Sequence, residues 1–146
     1  MASYALTDLK HSDVIVVNPG SQVHGAPVAC LGAGTGLGEV YLTFNGREYD
    51  VWATEGGHTD FAPTTSEEYD FMQFVKEEEK IGRVSIERLV RGAGINLAYQ
   101  YYKIKHSHPA SKEVEEELAR VEKPEKRNHV IATWGGKKVS FLEAIF

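Results

Sequence analysis

A glycine-dense turn between two short apolar runs constrains this chain most. Residues 32–38 read Gly-Ala-Gly-Thr-Gly-Leu-Gly, with a glycine at every second position. The run Val28-Ala29-Cys30-Leu31 precedes the turn, and residues 40–44 follow it with alternating apolar and polar side chains. Because glycine adopts positive φ without steric cost, the pattern predicts that the chain reverses here between two strands.

A second reversal is predicted at Asn45-Gly46, the strongest short signal for a β-hairpin. We expect the return strand over residues 47–54, which gives consecutive antiparallel strands over 27–54. A two-residue turn would set the cross-strand pairs, which are Leu42 with Tyr49 and Val40 with Val51. Upstream, the apolar run Val14–Val17 is predicted to be a buried strand that ends at a turn, Asn18-Pro19-Gly20.

Helices are predicted after the sheet. Thr65 followed by Glu68 forms a capping box, which predicts a helix that begins there and stops near Gly82. A second helix is predicted from Ser85 to Ile104, where apolar residues recur at steps of three and four. Gly92 and Gly94 fall inside it and indicate a bend, or a close approach by backbone or ligand.

The last third of the chain is charge-dense. Residues 111–127 predict a mostly solvated helix that Pro124 ends, and residues 130–134 predict a short strand. Residues 139–146 predict the beginning of a further helix.

Composition excludes several classes of protein. The 146 residues suit one domain, and a net charge of −5 argues against nucleic-acid or anionic-membrane binding. No apolar run approaches the roughly 20 residues that span a bilayer, and residues 1–6 lack the pattern of a signal peptide. The single cysteine, Cys30, predicts a reducing, cytoplasmic location, and we expect it to pack in its strand.

The glycine turn is also a candidate binding site. Backbone amides in such a turn form a concave anion site, as a nucleotide phosphate requires. The turn is not a Walker loop, because no Gly-Lys-Ser/Thr follows it. It also fails as a dinucleotide site, which requires a helix after the turn, because a strand comes next. A tight connection without a ligand is the alternative.

A second candidate site is the loop that follows the predicted sheet. Glu55 and His58 flank Gly56-Gly57, so that a carboxylate and an imidazole could grip the vicinal hydroxyls of one small ligand. A solvated loop is the alternative, and a metal site is disfavoured because no second histidine is near. The local sequence places Glu87 in the first turn of a helix, where a carboxylate interacts favourably with the helix dipole. His106 and His108 lie in a loop-like stretch and are expected to be exposed.

Three blocks together resemble the bacterial-type glucokinase family in order and spacing. They are residues 32–38, residues 55–63 (Glu-Gly-Gly-His-Thr-Asp-Phe-Ala-Pro) and residues 84–94 (Val-Ser-Ile-Glu-Arg-Leu-Val-Arg-Gly-Ala-Gly). The resemblance covers roughly residues 12–105. It implies an α/β fold of the ribonuclease H-like, actin-like ATPase type, of which three antiparallel strands followed by helices form a part.

The resemblance also implies ligands and residue roles. It implies phosphoryl transfer from ATP, with Mg²⁺, to the 6-hydroxyl of glucose. Gly34, Thr35 and Gly36 would hold the ATP phosphates, and Glu55 and His58 would bind glucose hydroxyls. Glu87 would bind glucose near the anomeric hydroxyl. This role replaces the one that its local sequence suggests, a carboxylate in the first turn of a helix.

The chain also departs from the family. The family's catalytic aspartate stands in an Asn-Asp pair, which this sequence lacks; neither Asp8 nor Asp13 is assigned as the base, and no metal ligand is assigned. Residues 111–136 look like an insertion. We therefore expect residues 1–146 to be one partial domain, resembling the large domain without the small N-terminal domain, inactive alone and self-associating, for example as a homodimer. A non-catalytic sugar- or nucleotide-binding module and a structural protein of the same fold stay open as alternatives.

Overall fold

The structure is a computed structural model that describes residues 9–21, 23–105 and 111–136. The regular elements of that part, in chain order, are β1 Val28–Ala33, β2 Leu37–Phe44, β3 Tyr49–Thr54, α1 Ser66–Glu79, α2 Ile86–Val90, α3 Gly92–Lys105, α4 Lys112–Ala119 and α5 Pro124–Gly136. Asp8, His106, His108 and the helix expected over 139–146 lie outside the described residues.

The chain divides into two compact units. Of the described residues, the first unit contains those up to Gly32 together with 38–56 and carries most of the sheet, and the second contains 33–37 together with those from Gly57 onward. Residues 33–37 of the glycine turn therefore belong to the second unit, together with the helices. That residues 1–146 form one partial kinase domain stays a prediction.

The sheet has the predicted antiparallel strands in the order β1-β2-β3, but the predicted register is wrong. Leu42 lies opposite Val51, and Phe44 lies opposite Tyr49, so the pairing is shifted by two residues. The cause is the turn, which contains four residues instead of two. The Asn45 side-chain oxygen accepts hydrogen bonds from the amides of Arg47 and Glu48, both at 3.0 Å, and this widens the loop.

The two-residue shift leaves the faces of the hairpin unchanged, because side chains alternate with a period of two. Leu42 is 1% exposed and is the buried hydrophobic side chain of this unit among the described residues. Tyr41 and Trp52 stack on each other with ring centroids 6.4 Å apart, and both remain exposed. Cys30 is half-buried in β1, as packing in a strand predicts.

The predicted strand Val14–Val17 is wrong. The run has no regular structure, and Ile15 and Val17 are 92% and 94% exposed. A buried strand needs hydrogen-bonding neighbours and apolar cover. Among the described residues, the sheet offers this run neither.

Helix α1 begins as predicted. The Thr65 hydroxyl accepts from the Glu68 amide at 3.1 Å, and the Glu68 carboxylate accepts from the amides of Thr64 and Thr65. The helix ends at Glu79, however, because Lys80 rather than Gly82 takes the left-handed conformation, with φ of 53°.

The predicted second helix is interrupted, as its glycines indicate. Helix α2 ends at Val90, Arg91 is extended, and α3 begins at Gly92. A Cβ atom on Gly94 would lie 2.0 Å from the Leu89 carbonyl oxygen, so only glycine permits this turn of the backbone.

Helices α3, α4 and α5 share one apolar core. It consists of Tyr99, Val114, Leu118, Val130 and Ile131. The strand predicted over 130–134 is therefore wrong, because these residues are part of α5. An apolar run this short fits a strand as well as a helix, and packing against α3 and α4 selects the helix. The predicted role of Pro124 is wrong as well, since α4 ends at Ala119 and Pro124 begins α5, where its missing N–H costs nothing.

A polar contact completes the packing of α3 on α4. The Glu115 carboxylate accepts from Lys103 Nζ at 2.6 Å and from the Tyr99 hydroxyl at 2.7 Å. The Lys103 ammonium, and after it the Tyr99 hydroxyl, hold the pKa of Glu115 below its ordinary value. Burial, reinforced by Glu115, raises the pKa of Tyr99, which therefore stays protonated.

Acid should weaken the start of α1. Hydrogen bonds from Thr64 lower the pKa of Glu68 from its ordinary 4.5, so Glu68 stabilises the folded chain above that pH and loses this effect as pH falls through the lower folded pKa. Glu68→Ala should therefore destabilise the chain at neutral pH and cease to do so in acid, as measured by denaturant unfolding. Glu77→Ala, an exposed change in the same helix, should show no such pH dependence; a parallel response of both variants would contradict the role of Glu68.

Replacing Gly94 by alanine should destabilise the chain by about 1–3 kcal/mol, the usual cost of forcing a methyl group into a filled site. The contacted atom is backbone and cannot move aside. The control is Gly82→Ala, where a Cβ meets nothing within 4 Å. Urea unfolding of both variants measures the difference, and equal stabilities would refute the proposed reason for glycine at 94.

Candidate functional site

The glycine turn is fastened to the first residue of α3. The Gly34 amide donates to the Gly36 carbonyl at 2.8 Å, which closes the turn, and the Gly92 amide donates to the Gly34 carbonyl at 3.0 Å. Within the described part of the chain, the amides of Thr35 and Gly36 donate to no protein acceptor. The tip of the turn therefore carries two adjacent N–H donors, as an anion requires.

Glu87 holds the other end of the turn. Its Oε2 accepts a hydrogen bond from the Leu37 amide at 3.1 Å, across fifty positions of sequence. A Cβ atom on Gly36 would lie 2.8 Å from the same oxygen, so a larger residue there would require the Glu87 carboxylate to shift. Glu87 therefore does more than occupy the first turn of α2, the role that its local sequence suggests.

The same carboxylate also faces His58. The Nδ1 atom of His58 lies 3.9 Å from Glu87 Oε1, and the Glu87 side chain is only 22% exposed. One oxygen of Glu87 thus faces His58, a candidate sugar-binding residue, while the other accepts a hydrogen bond from the candidate phosphate-binding turn. The structure brings together these two residues of the predicted site.

Backbone pairing places His58 next to α2. The Ile86 amide donates to the Thr59 carbonyl at 3.0 Å, and the Phe61 amide donates to the Val84 carbonyl at 2.9 Å. This short antiparallel bridge aligns residues 57–60 with the beginning of α2. No local sequence signal predicts it, because the two segments lie about 25 residues apart.

Arg83 strengthens that alignment. Its guanidinium donates to the Asp60 carboxylate and to the His58 carbonyl oxygen. No local sequence signal points to Arg83, since its partners are distant along the chain.

Glu55 lies in the other unit. It follows the last residue of β3 and is exposed. Its convergence with His58 on one ligand stays a prediction.

A pocket of about 470 Å³ opens beside the glycine turn, within the second unit. Its walls are Gly34, Thr35, Arg91, Gly92, Ala93, Asn96 and Asn128. Three buried atoms of these walls have no hydrogen-bond partner, namely Arg91 Nε, Asn96 Oδ1 and Asn128 Oδ1. No sequence pattern singles out any of these three residues, although Arg91 stands inside one of the blocks that resemble the family.

The described residues contain neither a cluster of metal ligands nor a membrane-spanning helix. No group of three His, Cys, Asp or Glu side chains is arranged to hold a metal ion in that part of the chain. No helix there is both long and apolar enough to cross a membrane.

Comparison with known proteins identifies the family. The glucokinase family profile matches residues 1–139. The chain belongs to the glucokinase family. A glucokinase of Nostoc sp. is 40% identical over 98 residues, which are 67% of this chain and 29% of that protein. A glucokinase of Synechocystis sp. is 37% identical over 107 residues, 73% of this chain and 30% of that protein.

The chain thus spans about 30% of the length of the curated glucokinases that it matches. Solved structures agree on the fold. The crystal structure of a glucokinase from an Antarctic psychrotroph aligns with a TM-score of 0.64 at 20% identity, over 94% of this chain and 46% of that one. A glucokinase from Balamuthia mandrillaris in complex with glucose aligns with a TM-score of 0.62 at 19% identity, over 86% and 33%. The predicted fold class, part of an α/β kinase fold, is confirmed.

Removing the Glu87 carboxylate should loosen the glycine turn of this chain. In Glu87→Ala the Leu37 amide loses its acceptor, and its hydrogen exchange should accelerate about tenfold, the equivalent of one ordinary hydrogen bond. Glu87→Gln keeps an acceptor oxygen and should exchange more slowly than the alanine variant. Amide exchange followed by NMR measures this, with the exposed Glu78→Ala as control; an unchanged Leu37 rate in Glu87→Ala would contradict the contact.

Proposed function

We propose that this chain is the part of a glucokinase that holds glucose and the phosphates of ATP. The observation that carries the proposal is the double use of Glu87, whose carboxylate contacts the Leu37 amide and faces His58. A kinase must align two substrates, and one rigid group shared by both sites supplies that alignment. The match to the glucokinase family supports the identity of the sugar and the donor.

The roles follow from the chemistry of each group. Thr35 and Gly36 would hold the phosphates of ATP through their unpaired amides, and the Thr35 hydroxyl adds a further donor. Glu55, His58 and Glu87 would bind glucose, since a carboxylate accepts from sugar hydroxyls and an imidazole either donates or accepts. Gly34 contributes its carbonyl, which keeps the turn on α3.

The proposed reaction joins the 6-hydroxyl oxygen of glucose to the γ-phosphorus of ATP. The bond from that phosphorus to the β,γ-bridging oxygen breaks, and the hydroxyl proton passes to a general base. No residue of this chain is assigned as that base, so we expect the chain to bind ligands without turnover. Mg²⁺ neutralises phosphate charge in such reactions and takes phosphates and water as ligands; no residue of this chain is assigned to it.

Cytoplasmic location and self-association belong to the same proposal. Exposed apolar side chains such as Ile15 and Val17 support self-association, because apolar surface of this kind commonly marks an interface. Light scattering tests it, and a monomeric mass at high concentration would contradict it.

Calorimetric titration with glucose tests the sugar site. Glu55→Gln and His58→Ala, both at exposed positions, should each weaken glucose binding about tenfold while leaving the fold intact, since each removes one or two polar contacts. Glu48→Gln, an exposed change elsewhere in the first unit, is the matched control. Glucose binding that none of the site variants alters would refute the assignment of the sugar site. Rapid glucose 6-phosphate formation by the chain alone would contradict the expectation that it has no catalytic base.

A further inference from the structure

We propose that Arg83 is a positioning residue of the sugar site, which holds the backbone of His58 so that its imidazole and the Glu87 carboxylate can contact one glucose molecule. The inference rests on the proposed function, because His58 and Glu87 are candidate glucose-binding residues there. Arg83 touches no sugar in this proposal and acts only through His58. Neither the local sequence nor the blocks that resemble the family assign it a role.

The first observation is the point at which backbone pairing ends. Asp60 and Ser85 form an isolated antiparallel bridge. Counting two residues outward along each segment leads to His58 and to Glu87, so the antiparallel alignment brings these two residues together. The pairing itself does not extend so far, because α2 begins at Ile86 and the backbone there leaves the extended conformation. The bridge therefore directs His58 toward Glu87 but ends before it reaches the His58 backbone.

The second observation is that Arg83 makes its contacts at this end of the bridge. Its Nη2 atom donates to the His58 carbonyl oxygen, and its Nε atom donates to the Asp60 carboxylate. A guanidinium is planar and presents its donors as a fixed fork, so two simultaneous hydrogen bonds determine where both acceptors lie. Asp60 thus anchors the guanidinium, and the guanidinium holds the His58 carbonyl.

The exposure of these groups separates positioning from stabilisation. The Arg83 and Asp60 side chains are 60% and 70% exposed, and exposed ion pairs usually contribute little to folding stability. The His58 imidazole, with Nδ1 3.9 Å from Glu87 Oε1, is itself accessible to a ligand. Because hydrogen bonds weaken steeply with misalignment, a small displacement of His58 would weaken its contact with the sugar. Loss of Arg83 should therefore affect sugar binding more than it affects the fold.

Calorimetric titration of glucose into the full 146-residue chain and its variants tests the proposal. Arg83→Gln should bind glucose about fivefold more weakly, the effect of losing part of one polar contact, with an unchanged midpoint of urea unfolding. Arg83→Lys keeps the charge without the fork and should also bind more weakly. The control is Arg120→Gln, which removes another exposed arginine and its ion pair with Glu116 from the same unit and should change neither quantity.

A double-mutant cycle with His58→Ala tests whether Arg83 acts through His58. The alanine keeps the carbonyl but removes the imidazole, so Arg83→Gln should cause no further loss of glucose affinity in the His58→Ala chain. Asp60→Ala removes the anchor of the guanidinium and should cause a smaller loss, which also disappears in the His58→Ala chain. Losses that add fully would show that Arg83 does not act through the imidazole, and the inference would be overturned.

The remaining outcomes separate the inference from the proposed function. If the wild-type chain binds glucose and Arg83→Gln and Asp60→Ala bind it equally well, the inference is wrong and the proposed function stands. If both variants lose affinity only in proportion to a lower urea midpoint, Arg83 supports the fold alone, and the inference is again wrong. If the folded wild-type chain binds no glucose, the proposed function fails, and the inference fails with it.

Discussion

The attachment of the glycine turn to the helices is the constraint on which the site depends. Two hydrogen bonds make it: Gly92 donates to the Gly34 carbonyl, and Leu37 donates to the Glu87 carboxylate. The first joins the backbone of the first residue of α3 directly to the backbone of the turn. The second places a carboxylate against the turn and leaves its other oxygen toward His58. The candidate phosphate-binding turn and the candidate sugar-binding residue His58 therefore both contact the Glu87 carboxylate.

The interruption between α2 and α3 makes this attachment possible. A continuous helix would have hydrogen-bonded the Gly92 amide within itself, and the turn would have lost its partner. Gly94 permits the interruption because the Leu89 carbonyl occupies the space of a Cβ atom. Gly94 is therefore explained by geometry, independently of the family that the block 84–94 resembles.

Local patterns predicted those features that neighbouring residues decide. The capping box of Thr65 and Glu68 and the hairpin at Asn45 both formed, because each depends on hydrogen bonds within a few positions. The hairpin register failed by two residues, since the side chain of Asn45 selected a longer loop. The apolar run 130–134 became a helix rather than a strand because Val114 and Leu118, on another helix, cover it.

The sequence by itself determined the glycine turn, the antiparallel strands and the resemblance that names Glu55, His58 and Glu87, since all of these reside in contiguous blocks. Only the tertiary structure decided that Glu87 reaches the Leu37 amide, that Arg83 supports His58, and that Asn128 stands beside the turn. The physical reason is distance along the chain. A hydrogen bond between residues 50 positions apart leaves no periodic trace in sequence, and it arises only when packing of the helices brings its donor and acceptor together.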